Sequence, residues 1–195
     1  MNPRGQVPAL EDDGRIITES TVICEYLEDA HPTPVKLRPE SHFDTAQMRV
    51  WTKWVDEYFC WWVSTIGWHR HISKMVKGLS DHKFEQVVAR IPIPEQQVKW
   101  RRAREGFPQE MLDDEMRKIG VSVTRLDAHL RDNEWLAGDT FTLADICNFA
   151  IANGMEKGFA GLVNFQDTPG LVRWIEQINE RPATKAMFAA VPREF

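Results

Sequence analysis

Leu112, Met116, Ile119, Val123, Leu126 and Leu130 recur at steps of four and three. That spacing lays one continuous apolar stripe along a helix and predicts an amphipathic helix from about Pro108 to Arg131. Helical spacing governs almost everything from residue 41 onward. A long helix is predicted from about Ser41 to Met75, a short one from Asp81 to Ala89, and a third after the prolines of IPIPEQQ. Further helices are predicted at 143–154, 169–180 and 183–190. On the long helix, Trp51, Tyr58 and Trp62 share one face at steps of seven and four, while Trp54, Trp61, Thr65 and Trp68 share another. A helix with two apolar faces must cover two partners.

Before residue 38 the chain has a different character. VPAL and RII are short apolar runs joined by Glu11-Asp12-Asp13-Gly14, and Asp-Gly between such runs predicts a β-hairpin. A helix from Ser20 to Asp29 should follow, with Val22, Ile23, Tyr26 and Leu27 on one face. HPTPVKLRPE then carries three prolines in ten residues and reads as a linker. No strand pattern, repeat or low-complexity tract follows it. The expected fold class is α+β, mostly α. A hairpin and helix occupy residues 1–33, a linker 34–41, and an all-helical region 42–195.

A chain of 195 residues with 43% hydrophobic and 27% charged positions can bury a core in one domain or two small ones. The net charge of -5 lacks the basic surplus of a nucleic-acid binder. No apolar run is long enough to span a membrane. The first residues resemble neither a signal nor a transit peptide, so a cytoplasmic protein is expected. Cys24, Cys60 and Cys147 lie far apart in apolar helical contexts and read as small buried hydrophobes. His69 and His71 lack a third ligand at metal-site spacing, so no metal is expected.

Local capping chemistry is informative. In FTLADI, Thr142 is a good N-cap and Asp145 can reach back to its N–H, closing a capping box, with Phe141 and Ile146 placed as a hydrophobic staple. Asp145 is therefore read as holding a helix start rather than as a catalytic acid. Pro8 opens a strand, where a trans proline at a sheet edge is the usual arrangement. Glu19-Ser20 opens a helix after a strand. Ser20 is either an ordinary N-cap or, with the helix amides, a holder of a carboxylate.

Taken together, NPRGQVPAL, the DG turn, ITESTVICEYLE and the Pro-rich linker resemble the second half of the thioredoxin-like domain of glutathione S-transferases. GDTFTLADICNFA resembles the capping box of the buried helix in their helical domain. The resemblance spans the whole chain and implies glutathione as co-substrate, a hydrophobic aromatic acceptor and a homodimer, with no nucleic-acid or membrane partner. It implies a cis Pro8 with the Val7 backbone pairing the cysteinyl unit of glutathione, Glu19 taking the γ-glutamyl ammonium and Ser20 its carboxylate, and Gln6 nearby. MRVWTKWVDEYFCWWVSTIGW, IPIPEQQVKWRRAREGFPQEML and LADICNFAIANG further resemble bacterial β-etherases, which use glutathione to cleave β-aryl ethers of lignin. On that resemblance the acceptor pocket is expected at Trp51, Tyr58, Trp62 and Gln96. Surface solvation is the plainer alternative for Gln96. Lys99, Arg101, Arg102 and Arg104 form a basic cluster expected to pair with acids on neighbouring helices or to help hold glutathione. A general conjugating transferase, an isomerase or a non-catalytic interaction module stay open as alternatives. Nothing here matches the family's opening strand, helix and strand, where the thiol-activating residue stands. No residue is therefore assigned that role, and little thiol-transfer activity is expected of the chain as given.

Overall fold

Asp13 and Gly14 both take positive φ, 47° and 75°, the backbone of a tight hairpin turn whose twist matches its strands. In the computed structural model, which describes Asn2 and residues 5–190, this turn joins β1 (Ala9–Asp12) to β2 (Arg15–Thr18). The strands pair antiparallel, with Ala9 opposite Thr18 and Asp12 opposite Arg15. Helix α1 (Ser20–Ala30) follows. Its Tyr26 hydroxyl donates to Asp12 Oδ2 at 2.7 Å, and the His31 ring nitrogen lies 3.1 Å from the same oxygen. These two contacts hold Asp12 below its usual carboxylate range. Only part of the expected face of α1 is covered. Ile23 is buried, but Val22 and Leu27 are exposed at 54% and 39%. Spacing puts them on one side of the helix; it does not supply a neighbour to cover them.

The described chain forms two compact units. Among the described residues, one comprises those up to 33 with 56–119, and the other 34–55 with 120–190. The helical residues 56–119 thus group with the hairpin; one break between the units falls at 33/34, where the linker begins, and two fall within helices, at 55/56 and 119/120.

The long helix expected over Ser41–Met75 is helical from His42 to Lys77, in three α segments. These are α2 (His42–Trp54), α3 (Cys60–Gly67) and α4 (Ser73–Lys77), separated by π-helical turns at Val55–Phe59 and Trp68–Ile72. In the first unit, Ser80 accepts the Lys83 N–H and starts α5 (Asp81–Ala89). Pro94 occupies the first turn of α6 (Pro94–Glu105), where its missing N–H costs nothing. Arg101 grips Glu85 with two hydrogen bonds and Arg104 pairs with Asp81, tying α6 to α5. Helix α7 (Gln109–Asp132) carries the expected stripe. Leu112, Ile119, Val123, Leu126 and Leu130 are all buried.

In the second unit, α8 (Leu143–Ala152) begins at the capping box read from the sequence. Asp145 does more than cap. Its carboxylate accepts the Thr142 N–H at 2.9 Å, the Thr142 hydroxyl at 3.2 Å, the Leu136 N–H at 3.0 Å and Trp174 Nε1 at 2.9 Å. Burial pushes its carboxyl up, against the pull of these four donors. Gly154, with φ 86°, separates α8 from the short α9 (Met155–Gly158). Helices α10 (Pro169–Glu180) and α11 (Pro182–Ala190) follow. Asp127 on α7 accepts the N–H groups of Gly170 and Leu171 at 2.9 and 3.2 Å, capping α10 from outside. Gly170 allows that approach, since a Cβ there would lie 2.8 Å from Arg131 N and 2.9 Å from Leu130 C.

Candidate functional site

In the first unit, a cavity of about 270 Å³ collects Gln6, Val7, Pro8, Thr18, Glu19 and Ser20, together with Asp56, Cys60 and Trp61. All five residues expected to bind glutathione line it. The Val7–Pro8 peptide is cis, and Val7 is 91% exposed. Glu19 stands at φ 70°, ψ 114°, a conformation that non-glycine residues adopt rarely and mainly at functional sites. Its carbonyl accepts the Ile23 N–H at 2.9 Å, making it the N-cap, yet no side chain caps α1. The first amides of α1 therefore sit beside the cavity as donors for an anion. Thr21 donates to Asp56 Oδ2 at 2.5 Å on the same side.

A second cavity, about 690 Å³, shares Gln6, Val7, Cys60 and Trp61 with the first. Its other walls are Gly5, Ser64, Trp68, Arg90, Ile91, Pro92, Gln96, Lys99 and Trp100. Trp68 and Trp100 meet edge to face, 5.4 Å between centroids. Lys99 Nζ bonds Ser64 Oγ at 3.1 Å and lies 4.7 and 5.3 Å from the Trp68 and Trp61 rings. The Gln97 amide is committed to the Ile91 carbonyl at 2.8 Å, whereas Gln96 faces the cavity. A smaller cavity edged by Glu19, Ser20 and Asp56 thus opens beside an aromatic chamber with a cation in its wall.

Residues 1–35 match the family model for the glutathione S-transferase N-terminal domain, and residues 83–182 match that for the C-terminal domain. Protein LigF of Sphingobium sp. (strain NBRC 103272 / SYK-6) is 59% identical over 199 residues, covering 100% of this chain and 77% of LigF. The chain belongs to the glutathione S-transferase family. The crystal structure of the beta-etherase LigF from Sphingobium sp. strain SYK-6 superposes with a TM-score of 0.94 at 58% identity, over 97% of this chain and 80% of that one. An apo structure of glutathione S-transferase III matches with a TM-score of 0.72 at 26% identity, covering 98% and 76%. Glutathione S-transferase GstB of Escherichia coli (strain K12) is 29% identical over 95% of this chain and 74% of its own length.

Within this transferase, the aromatic residues around the chamber differ from those expected. Trp51 is a core residue of the second unit, 6% exposed. It lies edge-on to Trp54 at 5.5 Å and to His129 at 5.1 Å, with Arg125 4.7 Å from its ring. Tyr58 and Trp62 pack against each other with tilted rings, 5.9 Å between centroids, and line neither cavity. Trp61, Trp68 and Trp100 line the chamber instead. The reason is the π-turn at Val55–Phe59. A π-turn inserts one residue, so side chains beyond it are rotated by roughly 100° from the α-helical count. A face drawn from Trp51 at steps of seven and four crosses that turn and loses register.

The cysteines are free thiols. Cys60 borders both cavities, but burial and Asp56 push its thiol up, against Lys99, which disfavours the nucleophilic thiolate. No group of metal-binding side chains occurs among the described residues. No helix of theirs is long and apolar enough to cross a membrane.

Proposed function

We propose that this transferase cleaves β-aryl ethers with glutathione. The observation that carries the reading is the whole-chain likeness to the beta-etherase LigF. The site supports it. Val7 main chain would pair the cysteinyl unit as an added strand does. Ser20 and the α1 amides would take the γ-glutamyl carboxylate, and Glu19 its ammonium. Gln6, Val7, Cys60 and Trp61 border both cavities, so a sulfur held at Val7 would lie beside the aromatic chamber. A flat aryl ether suits walls of tryptophan, and Gln96 offers an amide to its keto oxygen.

In the reaction, the glutathione thiolate attacks the carbon bearing the aryloxy group, which an adjacent carbonyl makes more electrophilic. The C–S bond forms, the C–O bond breaks, and a phenolate departs, leaving a glutathione thioether. Cys60 has no part as nucleophile. The reading includes a cytoplasmic location, in the compartment where glutathione sets the thiol poise, and a role in breaking down lignin-derived ethers. It also includes a homodimer, which would cover Phe43 and Val50 of α2, exposed at 71% and 50%.

The test is to incubate the protein with a keto β-aryl ether and glutathione and to follow phenol and thioether by mass. Equal release of both supports the reading. Conjugation of general electrophiles with no phenol from the ether would favour a general transferase, and retention on immobilised glutathione without any turnover would favour a binding module.

A further inference from the structure

The four basic residues of α6 have separate fates. Arg101 is neutralised by Glu85 and Arg104 by Asp81, and Arg102 lies 3.9 Å from the Met111 sulfur. Lys99 pairs with no acid among the described residues. Its polar contact is the Ser64 hydroxyl, the faces of Trp61 and Trp68 lie beside it, and the Cys60 thiol is near enough to feel its charge. A lysine stem normally carries its charge out to water. Here the ammonium is drawn into the chamber wall, and burial pushes it down from the usual lysine range. Aromatic faces attract a cation but do not neutralise it. The chamber therefore offers one positive charge, partly stripped of water, to whatever enters. Arg90 adds a second, but it is exposed.

We infer that Lys99 is the phenolate-binding group of the aromatic chamber, holding the aryloxy oxygen as it leaves. The inference rests on the ether-cleavage reading. In that reaction one electron pair moves from sulfur to carbon and another from the C–O bond to the aryloxy oxygen. Negative charge thus travels from the Val7 side of the site to the leaving oxygen. A fixed cation at the point of arrival stabilises the departing anion far more than the neutral ether, so it acts on the rate rather than on substrate affinity. Trp61, Trp68 and Trp100 would hold the ring edge-on or stacked while Ser64 fixes the ammonium. The phenolate takes its proton from solvent after release, and Lys99 ends the cycle as it began. The competing anions are the carboxylates of glutathione itself.

The probe is 4-nitrophenol, whose anion alone absorbs in the visible, titrated across pH with S-methylglutathione filling the glutathione site. The parent should bind nitrophenolate about ten- to a hundredfold more tightly than nitrophenol. Lys99→Met should abolish that preference and Lys99→Arg should keep most of it, with the fold of each checked by thermal melting. Equal affinity of the parent for the two forms overturns the inference, and so does a preference that survives in Lys99→Met. A loss of S-methylglutathione affinity in Lys99→Met with the phenolate preference intact overturns it too, assigning the cation to a glutathione carboxylate. Ether cleavage is scored separately. A parent that prefers phenolate yet releases no phenol from keto aryl ethers leaves the Lys99 site standing and removes the ether reading alone.

Discussion

Asp145→Ala tests how the helical unit is fastened. The carboxylate is fully buried and takes hydrogen bonds from Leu136, Thr142 and Trp174. Alanine removes the acceptor and leaves three rigid donors, two of them main-chain, without a partner. The Thr142 hydroxyl can rotate away. Each orphaned buried donor costs about 1–3 kcal/mol. Removing a buried charge recovers part of its desolvation penalty, so the net loss should be about 2–4 kcal/mol. That exceeds the loss of an N-cap, typically about 1 kcal/mol, because the donors come from three separate places in the chain. For a protein of this size the melting temperature should fall by about 5–15 °C. Urea titration followed by tryptophan fluorescence gives the free energy directly, and Thr142→Ala provides the comparison for a cap alone. A loss for Asp145→Ala no greater than for Thr142→Ala would refute the reasoning, since it would mean that the Leu136 and Trp174 bonds contribute nothing.

Ser20→Ala should weaken glutathione binding by about 1–3 kcal/mol, the range for a charge-assisted hydrogen bond, as read by calorimetry; unchanged affinity would remove Ser20 from the site. Gly170→Ala should destabilise by about 3 kcal/mol, since its Cβ meets backbone that cannot step aside; a melting point equal to the parent's would contradict this. Asp12 is held below the ordinary aspartate value by Tyr26 and His31. Its stabilising contribution is therefore present above the unfolded-state value and lost as pH falls through the folded one. Tyr26→Phe should raise the Asp12 midpoint toward the ordinary aspartate value in an NMR titration, and an unmoved midpoint would deny the hydrogen bond.

Features written in a few adjacent residues are legible in the amino-acid sequence itself. The Asp13-Gly14 turn needs only two positive φ angles, and α5 starts at Ser80 because a serine accepts an N–H three residues on. The grouping of Gln6, Val7, Pro8, Glu19 and Ser20 around one cavity is legible because hairpin and α1 bring them together over a short stretch of chain. What stays hidden depends on partners distant in sequence or on the phase of a helix. The Thr142–Asp145 box is local, but Leu136 and Trp174 reach Asp145 only in the fold. Lys99 reads like its arginine neighbours until Glu85 and Asp81 claim two of them. Spacing groups Trp51 with Tyr58 and Trp62, and Trp54 with Trp61 and Trp68, and both groupings cross a π-turn that nothing in the letters VDEYF announces.

Those two π-turns bear on how this protein could change its diet. Cys60, Trp61, Ser64 and Trp68 supply the chamber from one helical stretch, and the π-turns at Val55–Phe59 and Trp68–Ile72 bracket it. Each is an extra residue parked inside a helix, a slot that a later deletion can reclaim or an insertion can duplicate. Shifting the extra residue from one bracket to the other would turn the intervening face by roughly 100° while leaving the flanking helices in phase with their own cores. The segment works like a rotary selector with detents, and a lineage carrying it can trial new chamber walls by single-residue indels without rebuilding the domain around them.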